Sequence, residues 1–287
     1  MSKNTATLVG FVAVLLWALL ALFTVGTSPV PALQLNAVTF AIGGAIGLVW
    51  LGSTGGFADL RAVPMRVYLF GTAGLFGYHF LYFSALRLAP PAEAGLIAYL
   101  WPLLIVLFSG LLPGEVLRRG HVLGGLIGFA GAALIVANGF GGFDVGALPG
   151  YGLALLCALT WSGYSVLSRR LGAVPTASVV VFCLATSALS AVAHLFLEQT
   201  VWPTSATGWL SIIGLGVGPV GIAFFVWDVG VKKGDLQLLG VASYAAPVLS
   251  TFALIAAGLA QPSVTLLAAT ALITGGAMLA ARASTRT

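Results

Sequence analysis

The chain has 287 residues, 60% of them hydrophobic and 7% charged, where soluble domains run near half apolar and a quarter charged. That balance excludes a water-soluble domain and removes nucleic acid as the reason for the net charge of +5. With two cysteines and three histidines, none at metal-ligand spacing, no metal site and no cofactor is expected.

Ten apolar stretches of about 20 residues follow in chain order, each long enough to cross a hydrocarbon core of roughly 30 Å as a helix. They lie near 6–26, 31–51, 66–88, 91–112 and 121–139, then 148–171, 176–197, 206–230, 236–259 and 263–282. The first follows Lys3 but is too long for a signal-peptide core and has no small-residue cleavage site, so it counts as a span. Gly43 and Gly47 in the second span, and Gly124 and Gly128 in the fifth, have the four-residue spacing that lets helices approach closely. Packing within one bundle is the favoured use, which makes the protein a monomer before a homodimer. Cys157 and Cys183, inside the sixth and seventh spans, read as small core residues.

Glycine and proline concentrate elsewhere. The third span carries Gly71, Gly74 and Gly77, and the eighth Gly214, Gly216, Gly218, Pro219 and Gly221; the fourth and ninth hold Pro102 and Pro247. A proline within a helix removes one backbone hydrogen bond and clashes with the carbonyl four residues back. In lipid such a break survives where protein or a wet cavity covers it. Gly74, Gly77, Pro102, Gly216, Pro219, Gly221 and Pro247 are therefore the expected hinges of moving, cavity-lining spans three, four, eight and nine.

The chain repeats itself. Gly95, Tyr99 and Pro102 recur 145 residues on as Gly240, Tyr244 and Pro247, Arg87 recurs as Lys232, Gly71 as Gly216 and Gly131 as Gly276. With both termini cytoplasmic, the inner positions collect Lys3, Arg61, Arg66, Arg118, Arg119, Arg169, Arg170, Lys232, Lys233, Arg282 and Arg286. That is eleven of the twelve basic residues, with Arg87 alone outside. Five spans separate each residue from its repeat partner, and an odd number reverses the direction of crossing. The expectation is an all-α membrane protein of ten spans, a 5+5 inverted repeat around a central cavity, with halves at 1–140 and 141–287.

Polar and aromatic residues at depth are few. Asp228 precedes Lys232 by four and reads as a helical ion pair near the inner interface. Tyr78 and Tyr82 share a helical face with His79 about 100° away, so the three can border one cavity. His79 is then either satisfied by a neighbouring hydroxyl or used in substrate contact or gating. Tyr99 and Trp101 would diverge by about 200° in a regular helix, so both face the cavity only if Pro102 distorts that turn. Trp17 and Trp161 correspond at an offset of 144, at mid-depth and not in an interfacial belt. Trp17, Tyr78, His79, Tyr82, Tyr99, Trp101, Trp161 and Tyr244 are the expected walls of an aromatic chamber suited to apolar or aromatic ligands and to an ammonium group.

Ten spans, the inverted repeat, Tyr-x-x-Pro late in spans four and nine and a Trp in spans one and six resemble the EamA-type branch of the drug/metabolite transporter superfamily, over the whole chain. Within that branch the similarity is to exporters of aromatic amino acids. The resemblance implies export of a small metabolite from the cytoplasm across the inner membrane by alternating access, with that substrate and the lipid bilayer as partners. Trp101 falls opposite Ala246 in the repeat, an asymmetry that suits an asymmetric substrate. Another metabolite or a drug is the nearer alternative cargo. An ATP-driven pump would need a phosphate-binding loop, which is absent. An intramembrane hydrolase would need a nucleophile beside a base, and His79 is the one candidate base at depth, with no Gly-x-Ser-x-Gly pattern. A single-pore channel has no use for two opposed gates. No carboxylate at mid-depth offers a proton carrier, which leaves two routes open: uniport or exchange driven by the substrate's own gradient, and a proton route through His79.

Overall fold

The computed structural model describes residues 1–136 and 144–285. The last residues of the fifth expected span, the boundary between the halves at 140 and 141, and Arg286 lie outside the described residues. Among those described, the chain is helical with no strand, as a lipid environment demands when every backbone N–H and C=O must be satisfied internally.

In chain order the helices are α1 (Lys3–Ala18), α2 (Leu20–Gly26), α3 (Ala32–Thr54), α4 (Phe57–Arg61), α5 (Met65–Leu88), α6 (Pro91–Ala98), α7 (Trp101–Ser109) and α8 (Arg119–Val136). After a 3₁₀ turn at Val145–Ala147 come α9 (Leu148–Arg170), α10 (Ser178–Leu197) and α11 (Ala206–Val217). A π-helix at Gly218–Ile222 leads into α12 (Ala223–Lys233), followed by α13 (Leu236–Ala242), α14 (Ala245–Ala256) and α15 (Val264–Ser284). Seven helical runs among the described residues are long and apolar enough to cross a membrane, and Glu93–Ser109 and Arg119–Ile135 form shorter apolar helices.

The breaks follow the prolines. The α6–α7 junction falls at Tyr99 and Leu100, and Pro102 is the second residue of α7; the α13–α14 junction falls at Ser243 and Tyr244, and Pro247 is the third residue of α14. A proline in the first turn of a helix costs no bond, because those N–H groups have no helical acceptor. Pro219 likewise opens the π-helix, a widened turn typical of functional positions. By contrast α5 runs unbroken through Gly71, Gly74 and Gly77. Two of these glycines make room: a Cβ on Gly71 would strike the ring of Phe182, and one on Gly74 the ring of Tyr164.

Four helix pairs dominate the packing: α8 with α15, α3 with α10, α5 with α9 and α1 with α12. In lipid, helices associate through close van der Waals fit at small residues. A Cβ on Gly124 would lie 2.5 Å from the Gly276 carbonyl, and one on Gly131 3.0 Å from that of Ala269. Shifted by 145 positions, Gly124 and Gly131 become Ala269 and Gly276, so these two contacts of α8 on α15 are images of each other. Gly43 packs on Gly221, Gly47 on Val180 and Phe225, and Gly128 on the ring of Tyr244. The glycine pairs of spans two and five thus pack inside the bundle.

Candidate functional site

Four tryptophans meet where α1, α7, α9 and α12 converge. Trp17 sits 6.1 Å from Trp101, 5.8 Å from Trp161 and 5.0 Å from Trp227 between ring centroids, and Trp101 stands edge-on to both Trp161 and Trp227. Edge-to-face geometry places ring hydrogens on the electron-rich faces and adds roughly 0.5–1.5 kcal/mol per pair to the burial of area. Two indole N–H groups are committed: Trp17 donates to the Pro219 carbonyl at 3.0 Å, in the π-helix, and Trp227 to Ser165 Oγ at 3.1 Å. Those of Trp101 and Trp161 have no hydrogen-bond partner among the described residues.

A second group lies toward the Arg87 end. Tyr78 lies tilted against Trp161 at 5.3 Å and parallel to Tyr82 at 6.2 Å, while His79 packs edge-to-face with Phe40 at 5.0 Å and Phe224 at 6.0 Å. His79 Nδ1 is 2.7 Å from the Leu75 carbonyl. It must donate there, which leaves Nε2 of the neutral ring as an acceptor. The Tyr78, Tyr82 and Tyr99 hydroxyls have no hydrogen-bond partner among the described residues, whereas Tyr68 donates to the Leu60 carbonyl. Tyr78, His79, Tyr82 and Tyr99 keep solvent-accessible surface, while Trp227 is 0% exposed. The partly exposed rings at this end therefore carry spare donors and one spare acceptor.

Of the residues expected from the sequence, Trp17, Tyr78, His79, Trp101 and Trp161 join this cluster, with Tyr82 against Tyr78. Tyr99 borders it at the α6–α7 break. Tyr244 does not join: it is fully buried in a separate cluster with Leu103, Ala132 and Val248. Trp227 and Phe224 belong to the site although neither was singled out. A signal for both existed, since they fall 145 positions after Tyr82 and His79.

Polar clasps hold both ends. At the basic end Arg169 pairs with Glu115 and donates to the Val231 and Gly234 carbonyls, and Gln237 donates to Glu115 at 3.2 Å. Asp235 caps α13 by accepting from the Leu238 amide at 2.9 Å and pairs with Lys3 at 3.0 Å. Burial pushes the Asp235 carboxyl up, but the Leu238 amide and the Lys3 ammonium outweigh it and hold it below the ordinary aspartate range. Asp228 and Lys232 pair as expected, at 2.8 Å, with side chains 1% and 4% exposed, so the pair is buried within the protein. Thr176 and the Val174 carbonyl complete its shell, as a buried charge requires. At the Arg87 end, Glu198 accepts from the amides of Leu33 and Gln34 at the start of α3, from Arg87 at 2.5 Å and from His194 at 3.0 Å. Among the described residues no group of three His, Cys, Asp or Glu could hold a metal.

A cluster of indoles and phenols thus lies inside a bundle of membrane-length helices. The sequence model of the EamA-like transporter family matches residues 4–137 and again 148–282. The chain belongs to that family. It is a membrane transporter and not an enzyme. It is 56% identical over 283 residues, 98% of each chain, to the aromatic amino acid exporter YddG of Ancylobacter novellus. It is also 27% identical over 267 residues, 88% of each chain, to the protein of that name from Salmonella typhimurium. A solved crystal structure 55% identical in sequence superposes with a TM-score of 0.95, covering 99% of both chains.

Proposed function

We propose that this EamA-like transporter exports aromatic and other apolar amino acids from the cytoplasm across the inner membrane by alternating access. The observation that carries this is the ring of Trp17, Trp101, Trp161 and Trp227 with unpartnered phenols beside it, in a chain 56% identical to an aromatic amino acid exporter. An aromatic side chain would stack among the indoles. Its ammonium group would be held by ring faces and His79 Nε2, and its carboxylate by donation from Tyr78, Tyr82 and Tyr99.

The architecture proposed is ten spans in two inverted halves, 1–140 and 141–287, with both termini cytoplasmic. The two family matches, the paired α8–α15 contacts and the eleven-to-one distribution of basic residues support it. On this reading the described conformation is open outward, with the Arg169–Glu115 clasp on the cytoplasmic side. The fourth, eighth and ninth spans would hinge at Pro102, at Gly216, Pro219 and Gly221, and at Pro247, and α5 would swing at Gly74 and Gly77. Internal use of the glycine pairs supports a monomer.

The test is flux. Purified protein in liposomes loaded with labelled tryptophan or phenylalanine is expected to release them down their gradient without an imposed pH difference. Release of no amino acid, with another metabolite carried instead, would overturn the substrate assignment.

A further inference from the structure

Resting on the alternating-access reading above, we propose that Tyr244 and Tyr99 are reciprocal positioning residues. The Tyr244 hydroxyl caps the broken fourth span in the described conformation, and the Tyr99 hydroxyl caps the ninth span at Val248 in the oppositely facing one.

The first half of the pair is in place. Because α7 starts at Trp101, the Leu103 amide has no acceptor in its own helix, while Leu104 already bonds to the Leu100 carbonyl. The Leu103 amide instead donates at 3.0 Å to the Tyr244 hydroxyl, reaching across from the α13–α14 break. Tyr244 is 0% exposed, its ring lying on Gly128, where a Cβ would come within 2.7 Å. A buried N–H left without a partner is costly, so this bond stabilises the particular shape of the α6–α7 break.

The second half follows from the repeat. A shift of 145 positions carries Leu103 to Val248 and Tyr99 to Tyr244. The image of the observed bond is therefore donation from the Val248 amide to the Tyr99 hydroxyl. Tyr99 already packs on the cluster that contains Val248, and its hydroxyl has no hydrogen-bond partner among the described residues. The two breaks also differ by one residue: α14 starts at Ala245, one position before the image of Trp101. Val248 thus lies one step further inside its helix than Leu103 does. Under this proposal the two inverted halves exchange these conformations in the oppositely open state. That exchange winds α7 by one residue, which returns the Leu103 amide to its helix, and unwinds α14 by one, which frees the Val248 amide for Tyr99. Capping needs a tyrosine in both copies, whereas the substrate wall does not, which accounts for Tyr99 matching Tyr244 while Trp101 faces Ala246.

The test reads conformation without substrate. Ser168→Cys places a reporter thiol at a position 2% exposed and next to Arg169 of the Glu115 clasp, in the full-length protein reconstituted in liposomes. Its maleimide labelling rate is compared with that of the parent carrying only Cys157 and Cys183. Tyr244→Phe is expected to raise reporter labelling about fivefold, the scale of one buried hydrogen bond, and Tyr99→Phe to lower it by a similar factor. The double variant returns to within about twofold of the reporter parent. Gly128→Ala, which keeps the hydroxyl but displaces the ring, also raises labelling and serves if Tyr244→Phe folds poorly. Unchanged labelling in both Tyr244→Phe and Gly128→Ala, or Tyr99→Phe moving in the same direction as Tyr244→Phe, overturns the proposal. Opposite shifts in a protein that carries no amino acid would support the pair and overturn the substrate reading alone.

Discussion

At the scale of single residues, the same side-chain type does different work according to what its polar atom meets. Trp227 and Trp161 stack at 6.2 Å, yet Trp227 is tied to Ser165 while the Trp161 indole N–H has no partner among the described residues. Ser165→Ala is therefore expected to lower stability by about 1–3 kcal/mol by stranding a buried donor, read as a fall in Tm with affinity retained. Trp161→Phe, which keeps an aromatic ring in the core, is expected to raise the half-saturating concentration for tryptophan export severalfold through reduced stacking; unchanged export kinetics would remove Trp161 from the substrate wall. His79→Gln, which preserves an acceptor, should export better than His79→Ala. Trp17 and Trp161 were legible as interior aromatics because tryptophan normally sits at the interface. Trp227 and Phe224 were legible through the repeat, but only by carrying Tyr82 and His79 forward. The separate burial of Tyr244 was not legible, since which side of a broken helix a ring takes depends on Gly128 in another span.

At the scale of elements, proline and glycine have different predictive force. Proline acts within its own helix by removing a donor, so the breaks ahead of Pro102 and Pro247 could be read directly. Glycine acts through its neighbours. Gly71 and Gly74 leave α5 intact because Phe182 and Tyr164 fill the space beside them, and nothing in α5 announces those rings. Pro102→Ala is expected to return a donor to the Ala98 carbonyl, straighten the α6–α7 junction and slow export severalfold, with Tm unchanged or raised. Gly124→Val and Gly131→Val place bulk against carbonyls of α15 at image positions. Each is expected to cost about 1–3 kcal/mol, and the two losses of Tm should be similar. A large loss for one and none for the other would argue against the paired contact.

At the scale of the whole molecule, polar clasps tie the helices together at both ends. Arg169 ties α9 to Glu115 ahead of α8 and to the α12–α13 corner, and Glu198 ties α5, α10 and the start of α3. Glu115→Gln is expected to speed labelling of a thiol at Ser168 by removing the ion pair while keeping the side-chain shape. Asp235 adds a pH dependence. Its carboxyl is held below the ordinary range when folded, so its contribution is fully present above the unfolded value of about 4 and is lost as pH falls through the folded value. Asp235→Asn keeps a good helix cap but loses the charge that Lys3 pairs with, so it should lower Tm at pH 7 by the equivalent of less than about 1 kcal/mol, the scale of a largely exposed ion pair, and the difference should close under strongly acidic conditions.

The sequence by itself determined the solvent, the helical class and the repeat, because apolar length, basic-residue placement and the 145-residue offset are properties of the chain alone. It also marked the breaks at Pro102, Pro219 and Pro247, but not the one between α1 and α2 at Leu19. Only the tertiary structure decided that four indoles converge, that Tyr244 caps the neighbouring broken helix, and which side chains clasp each end. Those outcomes depend on which side chains from opposite halves meet in space, and a hydrogen bond between residues 141 positions apart leaves no trace in local pattern.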